Sequence, residues 1–234
     1  MEEIRDAFGG AFLLLIRRDA ALLEIVFLSL RVSLTALFFA SLIGLPLGSF
    51  LGSGRFPGRN ILVVLLNSML GLPPVVVGLT VYLVLSRSGP LGGLDWLFTS
   101  RAMIIAQFIL VTPFVASITR QTVEDLMEEY EEQLTSLGVG KIGCLFTLLH
   151  EGRYRLLTAL LAGFGRAISE VGAVMIVGGN IAHLTRVMTT AIAMETSKGD
   201  LTMALSLGII LIFLALSLNV AAQLIAKVGR AEIR

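Results

Sequence analysis

Three stretches of the chain, residues 61–86, 102–119 and 201–226, contain no Lys, Arg, Asp or Glu. The hydrocarbon core of a bilayer is about 30 Å thick and takes roughly 20 apolar helical residues per crossing, so each stretch is long enough to span as a helix. Two further apolar runs carry charge: 25–51 has Arg31 near its start, and 156–177 has Arg166 and Glu170 deep inside. The pattern predicts an all-α polytopic membrane protein with five transmembrane helices at about 25–51, 61–86, 102–120, 156–177 and 201–226. Ahead of the first, Ile4, Phe8, Phe12 and Leu15 recur at helical spacing. They predict a short helix lying along the membrane interface within residues 1–20.

The connections are short except for 120–155. Its first half is acidic, with Glu124, Asp125, Glu128, Glu129, Glu131 and Glu132, while Leu126, Tyr130, Leu134 and Leu137 fall on one helical face. Gly138 then suits the left-handed geometry of a helix C-terminus, with Lys141 just beyond it. Ile142, Leu145, Phe146 and Leu149 follow at i, i+3, i+4 and i+7. A helix-Gly-helix elbow over 124–151 is expected outside the membrane. Its apolar stripes serve either to pack on the ends of the spans or to meet a partner.

Composition agrees with a bilayer as solvent: of 234 residues, 56% are apolar and 15% charged, against about 25% charged in a soluble domain. Five spans leave no room for a soluble catalytic domain. A net charge of +1 with scattered basic residues gives no nucleic-acid patch. The single Cys144 excludes an intrachain disulfide and a Cys-based metal cluster. Glu2, Glu3 and Asp6 stand where a cleavable signal would carry basic residues. His150 and His183 are isolated and match no metal-site spacing, and Gly140-Lys141 lacks the rest of a phosphate-binding loop, so no metal and no ATP site is expected in this chain.

The elbow resembles the cytoplasmic coupling loop of binding-protein-dependent ABC permeases, whose pattern is Glu-Ala-Ala, three residues, Gly, then nine residues before Ile-x-Leu-Pro. Glu132, Gln133 and Leu134 stand for Glu-Ala-Ala, Gly138 for the Gly and Leu148 for the Ile; His150 and Glu151 depart from the Leu-Pro ending. Stronger matches run from Leu22 to Ala226. Residues 28–33 (Leu-Ser-Leu-Arg-Val-Ser), 71–78 (Gly-Leu-Pro-Pro-Val-Val-Val-Gly) and 165–173 (Gly-Arg-Ala-Ile-Ser-Glu-Val-Gly-Ala) resemble the molybdate and tungstate permeases. Residues 177–181 (Val-Gly-Gly-Asn-Ile) and 185–192 (Thr-Arg-Val-Met-Thr-Thr-Ala-Ile) are most similar to the tungstate type.

The resemblance implies the MetI-like permease fold: a homodimer, two cytoplasmic ABC ATPases that bind ATP and Mg and clasp the elbows, and an extracytoplasmic oxyanion-binding protein. It puts the N-terminus and residues 1–20 outside, and the elbow and the 228–234 tail in the cytoplasm. The basic residues lean the same way. Nine (Arg55, Arg59, Arg120, Lys141, Arg153, Arg155, Lys227, Arg230, Arg234) fall on that cytoplasmic side and seven (Arg5, Arg17, Arg18, Arg87, Arg101, Arg186, Lys198) on the other. ATPase coupling would rest on Glu132, Gln133, Leu134, Leu137 and Gly138.

Candidate pathway or gate residues follow from the spans. Pro73 and Pro74 interrupt the second one, removing backbone donors so that the helix must kink or unwind. Arg166 and Glu170, four residues apart, are expected on one helix face, either lining the route or paired for packing. An unpaired Glu170 would repel a dianion, which favours a structural or gating role. Gly178, Gly179 and Asn180 form either a plain turn or a nest of N–H groups for an anion. Thr185 and Arg186 are placed to meet the anion or a delivering protein. Gly44, Gly48 and Gly52 make a small-residue face for close packing.

A secondary transporter or channel would show an inverted repeat and have no need of the elbow. An intramembrane enzyme would need a better acid–base pair than Arg166 with Glu170, because arginine stays protonated.

Overall fold

Two of the five apolar runs are broken, one where its prolines implied and one where an unbroken helix was expected. The computed structural model describes residues 2–17, 19–54 and 56–232. Its helices are α1 (Glu2–Arg17), α2 (Ala20–Ser53), α3 (Arg59–Leu70), α4 (Pro74–Leu85), a 3-10 turn (Gly92–Leu94), α5 (Ser100–Ser136), α6 (Lys141–Glu151), α7 (Arg153–Ile168), α8 (Gly172–Gly178), α9 (Met188–Lys198) and α10 (Leu201–Glu232). The side chains of Ile4, Leu15, Glu131, Lys141, Ile142 and the 228–234 tail, and Arg18 and Arg55 from the charge balance, lie outside the described residues.

Helices α2, α5 and α10 contain 34, 37 and 32 residues, about 50 Å each at 1.5 Å per residue, ample for a bilayer. Asp19 starts α2 by accepting the Leu22 N–H at 3.1 Å, and Asp200 starts α10 by accepting that of Met203 at 3.0 Å. Within the spans, hydroxyls turn back on their own helix: Ser41 donates to the Leu37 carbonyl and Thr112 to that of Phe108, each at 2.7 Å. These hydroxyl donors are thereby satisfied without leaving their own helix. Phe27, Phe38, Leu42 and Phe213 are between 62% and 69% exposed; that much apolar surface calls for lipid or another protein chain against it.

The run at 61–86 is broken into α3 and α4, bent by 97° across residues 71–73, as the interruption by Pro73 and Pro74 implied. Pro73 is extended at the N-cap and Pro74 takes the first helical position, where its missing N–H costs nothing. The expected helix at 156–177 is likewise α7 and α8, bent by 55° across 169–171. Among the described residues three helices are therefore long and apolar enough to cross, or up to five spans if each bent pair counts as one. The chain is an all-α polytopic membrane protein.

The chain divides into two compact units. The first holds residues 1–36, 73–107 and 165–217. In it Gly10 and Ala11 of α1 lie against α10, where the Ser206 hydroxyl reaches the Ala11 carbonyl at 3.4 Å, while Phe8, Phe12 and Ile16 stay exposed. Gly78 of α4 meets Ala173 of α8 so closely that a Cβ there would stand 2.7 Å from the Ala173 Cα.

The second unit holds residues 37–72, 108–164 and 218–234. The small face of α2 packs on α5 as expected: a Cβ on Gly52 would lie 2.8 Å from the Arg120 carbonyl, and one on Gly48 would overlap that of Ala116. The third span and the acidic limb of the elbow, read above as separate pieces, form the single helix α5.

Candidate functional site

The elbow is built as its pattern implied. Helix α5 ends at Ser136; Gly138 takes φ 70°, and the Leu137 and Val139 N–H groups return to the Gln133 and Leu134 carbonyls at 3.1 and 3.0 Å. That turn satisfies carbonyls the helix end would orphan and lets α6 leave in a new direction. The two limbs close on each other: Val123, Leu126 and Leu148 form a buried cluster flanked by Tyr130, Leu134, Leu145 and Leu149. Leu134 is therefore part of the elbow's own core. What the elbow presents outward is Leu137, 76% exposed, and Phe146, 69% exposed, with Glu128, Glu129, Glu132 and Gln133 also on the surface.

Arg166 and Glu170 do not share a helix face. Helix α7 stops at Ile168 and Glu170 lies in the break. No ion pair joins them; the Glu170 carboxylate instead accepts the Ala173 N–H of α8 at 3.1 Å, a stabilising place for a negative charge at a helix start. Two residues that the sequence reading passed over complete the break. The Gln107 amide of α5 donates to the Ala167 carbonyl at 2.9 Å, and the Thr189 hydroxyl of α9 to the Glu170 carbonyl at 2.8 Å. The Thr189 bond satisfies the Glu170 carbonyl in the break, and the Gln107 bond adds to the Glu170 N–H that the Ala167 carbonyl accepts at 3.3 Å. The one signal for Gln107 was its being the sole amide in a charge-free run.

The break at Glu170 and the start of α4 are brought together: a Cβ on Gly172 would stand 2.8 Å from Val75 Cγ2. Pro73, Pro74 and Glu170, far apart in the chain, thus gather at one place in the first unit.

The turn after α8 is self-contained. Gly179 and Asn180 take φ 70° and 51°. The Thr185 hydroxyl, 1% exposed, donates to the Gly178 carbonyl at 2.6 Å and accepts the Ile181 N–H at 2.9 Å, while the Gly179 N–H is held by Met175 at 2.9 Å. The Asn180 amide nitrogen reaches the Thr190 carbonyl at 3.3 Å. Arg186 lies 3.8 Å from Glu195, which Lys198 also meets at 3.1 Å. Beside it a groove of about 140 Å³ is lined by Glu24, Ile25, His183 and Arg186, with His183 Nδ1 2.8 Å from the Glu24 carboxylate. Among the described residues no group of His, Cys, Asp or Glu is gathered to hold a metal ion.

A further cluster was not foreseen. The Glu124 carboxylate on α5 is held at one oxygen by Arg59, the first residue of α3, and at the other by Arg120, one turn earlier on α5. Arg59 also donates Nε–H to the Leu51 carbonyl near the end of α2 at 2.7 Å.

Residues 44–228 match the model of the binding-protein-dependent transport system inner membrane component family. The chain is 42% identical over 219 residues to the tungstate uptake system permease protein TupB of Peptoclostridium acidaminophilum, covering 94% of this chain and 96% of that one. It is 41% identical to a probable anion ABC transporter permease protein of Haloferax volcanii, over 85% and 88% of the two chains, and 35% identical to TupB of Campylobacter jejuni, over 94% and 92%. With its broken spans, its elbow and relatives that match it nearly end to end, this chain belongs to the binding-protein-dependent transport system inner membrane components.

Proposed function

We propose that this chain is the membrane permease subunit of an ATP-driven importer of a tetrahedral oxyanion, tungstate ahead of molybdate or sulfate. It works as a homodimer with the anion path on the two-fold axis, since one chain supplies half of a symmetric pathway. Two cytoplasmic ABC ATPases, which carry the ATP and Mg, take the elbows, and an extracytoplasmic binding protein delivers the anion. The N-terminus lies outside and the C-terminus in the cytoplasm.

The observation that carries this reading is the elbow. Leu137 stands exposed at the bend and Phe146 midway along α6, with Glu128, Glu129 and Glu132 exposed on the α5 limb, although the elbow already has its own buried core. An apolar pair left over after the fold is satisfied suits a groove on a partner, and the rigid turn at Gly138 suits transmission of a push when the ATPases close. Glu132 offers the partner a carboxylate. The kinship with tungstate permeases supports the anion.

The gate is assigned to the two helix breaks, with Pro73, Pro74 and Glu170 at its centre and Arg166 on the adjoining helix end. Gly178, Gly179, Asn180, Thr185 and Arg186 shape the outer turn that receives the binding protein. ATP binding shifts the dimer between inward-open and outward-open states.

Proteoliposomes containing this chain, its ATPase and its binding protein test the reading. Tungstate uptake that requires enclosed ATP and the binding protein, and that molybdate and sulfate compete for less well, is expected. Uptake without ATP would identify a secondary transporter instead.

A further inference from the structure

We infer that Arg59, Glu124 and Arg120 form a latch that makes α3 move as one body with the coupling helix α5. The inference rests on the importer reading above and names the residues that carry motion from the elbow into the first broken span.

Helix α3 runs antiparallel to α5 and is pinned to it at two levels. The Ser117 hydroxyl donates to the Asn67 side-chain oxygen at 3.2 Å, and Arg59 engages Glu124. These rungs lie seven residues apart on α5 and eight on α3, about two helical turns. Beside the Ser117 rung, Leu66 packs with Leu51 of α2 and Ala116, and Phe56 closes the cluster. Apolar contact of this kind is non-directional and permits one helix to slide along another by an ångström or two. A guanidinium fork does not, because its bonds have fixed directions. Arg59 has both functions in one side chain: its Nη2 holds Glu124 and its Nε holds the Leu51 carbonyl. The ends of α2, α3 and α5 are thereby tied at one point.

The charge count argues for more than stability. Two guanidiniums share one carboxylate, and the Nε of Arg120, a residue only 8% exposed, has no hydrogen-bond partner. A cluster built only to hold the fold would not keep a surplus buried cation, for which apolar side chains are an equal or better substitute. What the surplus provides is one guanidinium contact on each oxygen of Glu124, Arg59 on one and Arg120 on the other, which fixes the orientation of its carboxylate. Glu124 is on the same unbroken helix as the elbow, and α3 leads directly to the bend at 71–73. With α3 locked to α5, displacement of the elbow is delivered to that bend and not dissipated as sliding. Arg59 and Arg120 are positioning residues, acting through Glu124.

The test uses the full complex in proteoliposomes, with tungstate as the anion and Arg59→Gln, Glu124→Gln and the double variant beside wild type. The result expected is anion-stimulated ATP hydrolysis within about twofold of wild type, with tungstate taken up per ATP hydrolysed lowered about tenfold. The double variant should be no worse than either single one, since both remove one interaction. Arg59→Lys, which keeps a bond to the carboxylate but loses the one to the Leu51 carbonyl, should fall between wild type and Arg59→Gln. Its indifference would overturn the latch even if the Gln variants fail to assemble. So would hydrolysis and uptake falling in parallel, the mark of a merely structural role. A wild-type complex without anion-stimulated hydrolysis would remove the importer reading itself, a distinct outcome.

Discussion

Gly138 holds φ 70°, and nothing lies within 4 Å of the Cβ it lacks. Any effect of replacing it is therefore conformational and not steric. A non-glycine residue there costs about 1–2 kcal/mol, more for a β-branched one, so Gly138→Val should lower coupling of ATP hydrolysis to transport several-fold while the spans still insert. Uptake and hydrolysis measured together would show it. Gly48 is the opposite case: its missing Cβ would overlap the Ala116 carbonyl and stand 2.6 Å from Thr119 Cβ. Gly48→Leu should cost about 1–3 kcal/mol by overpacking and lower the Tm of the detergent-solubilised protein. Gly165→Ala, which meets nothing within 4 Å in a helix interior, should leave Tm unchanged or slightly raised.

At the scale of elements, legibility followed the range of the interaction. Helices α2, α5 and α10 were visible because a long apolar run with at most one charge needs only the bilayer to explain it. The break before α4 was visible because Pro73 and Pro74 carry their own stop signal. The break before α8 was not, and Arg166 and Glu170 were wrongly placed on one face: no proline marks it, and its carbonyls accept bonds from Gln107 and Thr189 on distant helices. Glu124 was counted with the acidic elbow for the same reason, its partner Arg59 lying 65 residues away. Gln107→Leu should accordingly destabilise the α7–α8 junction by about 0.5–1.5 kcal/mol, read as a lower Tm, since it removes the bond from α5 while the Ala167 carbonyl keeps the Glu170 N–H. Leu137→Asp with Phe146→Asp should leave Tm nearly unchanged, both side chains being exposed, yet abolish capture of the ATPase in a co-purification.

For the whole molecule, the account joins two features: breaks in two spans where a path can open, and an elbow outside the membrane that a partner can push. Neither is needed for a stable helical bundle, and each has a cost in backbone bonds or exposed apolar surface that a passive membrane protein would avoid. The measurement that tests their connection most directly is anion-stimulated ATP hydrolysis by the reconstituted complex of this chain, its ATPase and its binding protein, with Glu132→Ala alongside. The account predicts stimulation by tungstate that collapses in Glu132→Ala. A chain that binds no ATPase, or hydrolysis indifferent both to the anion and to Glu132, would contradict it.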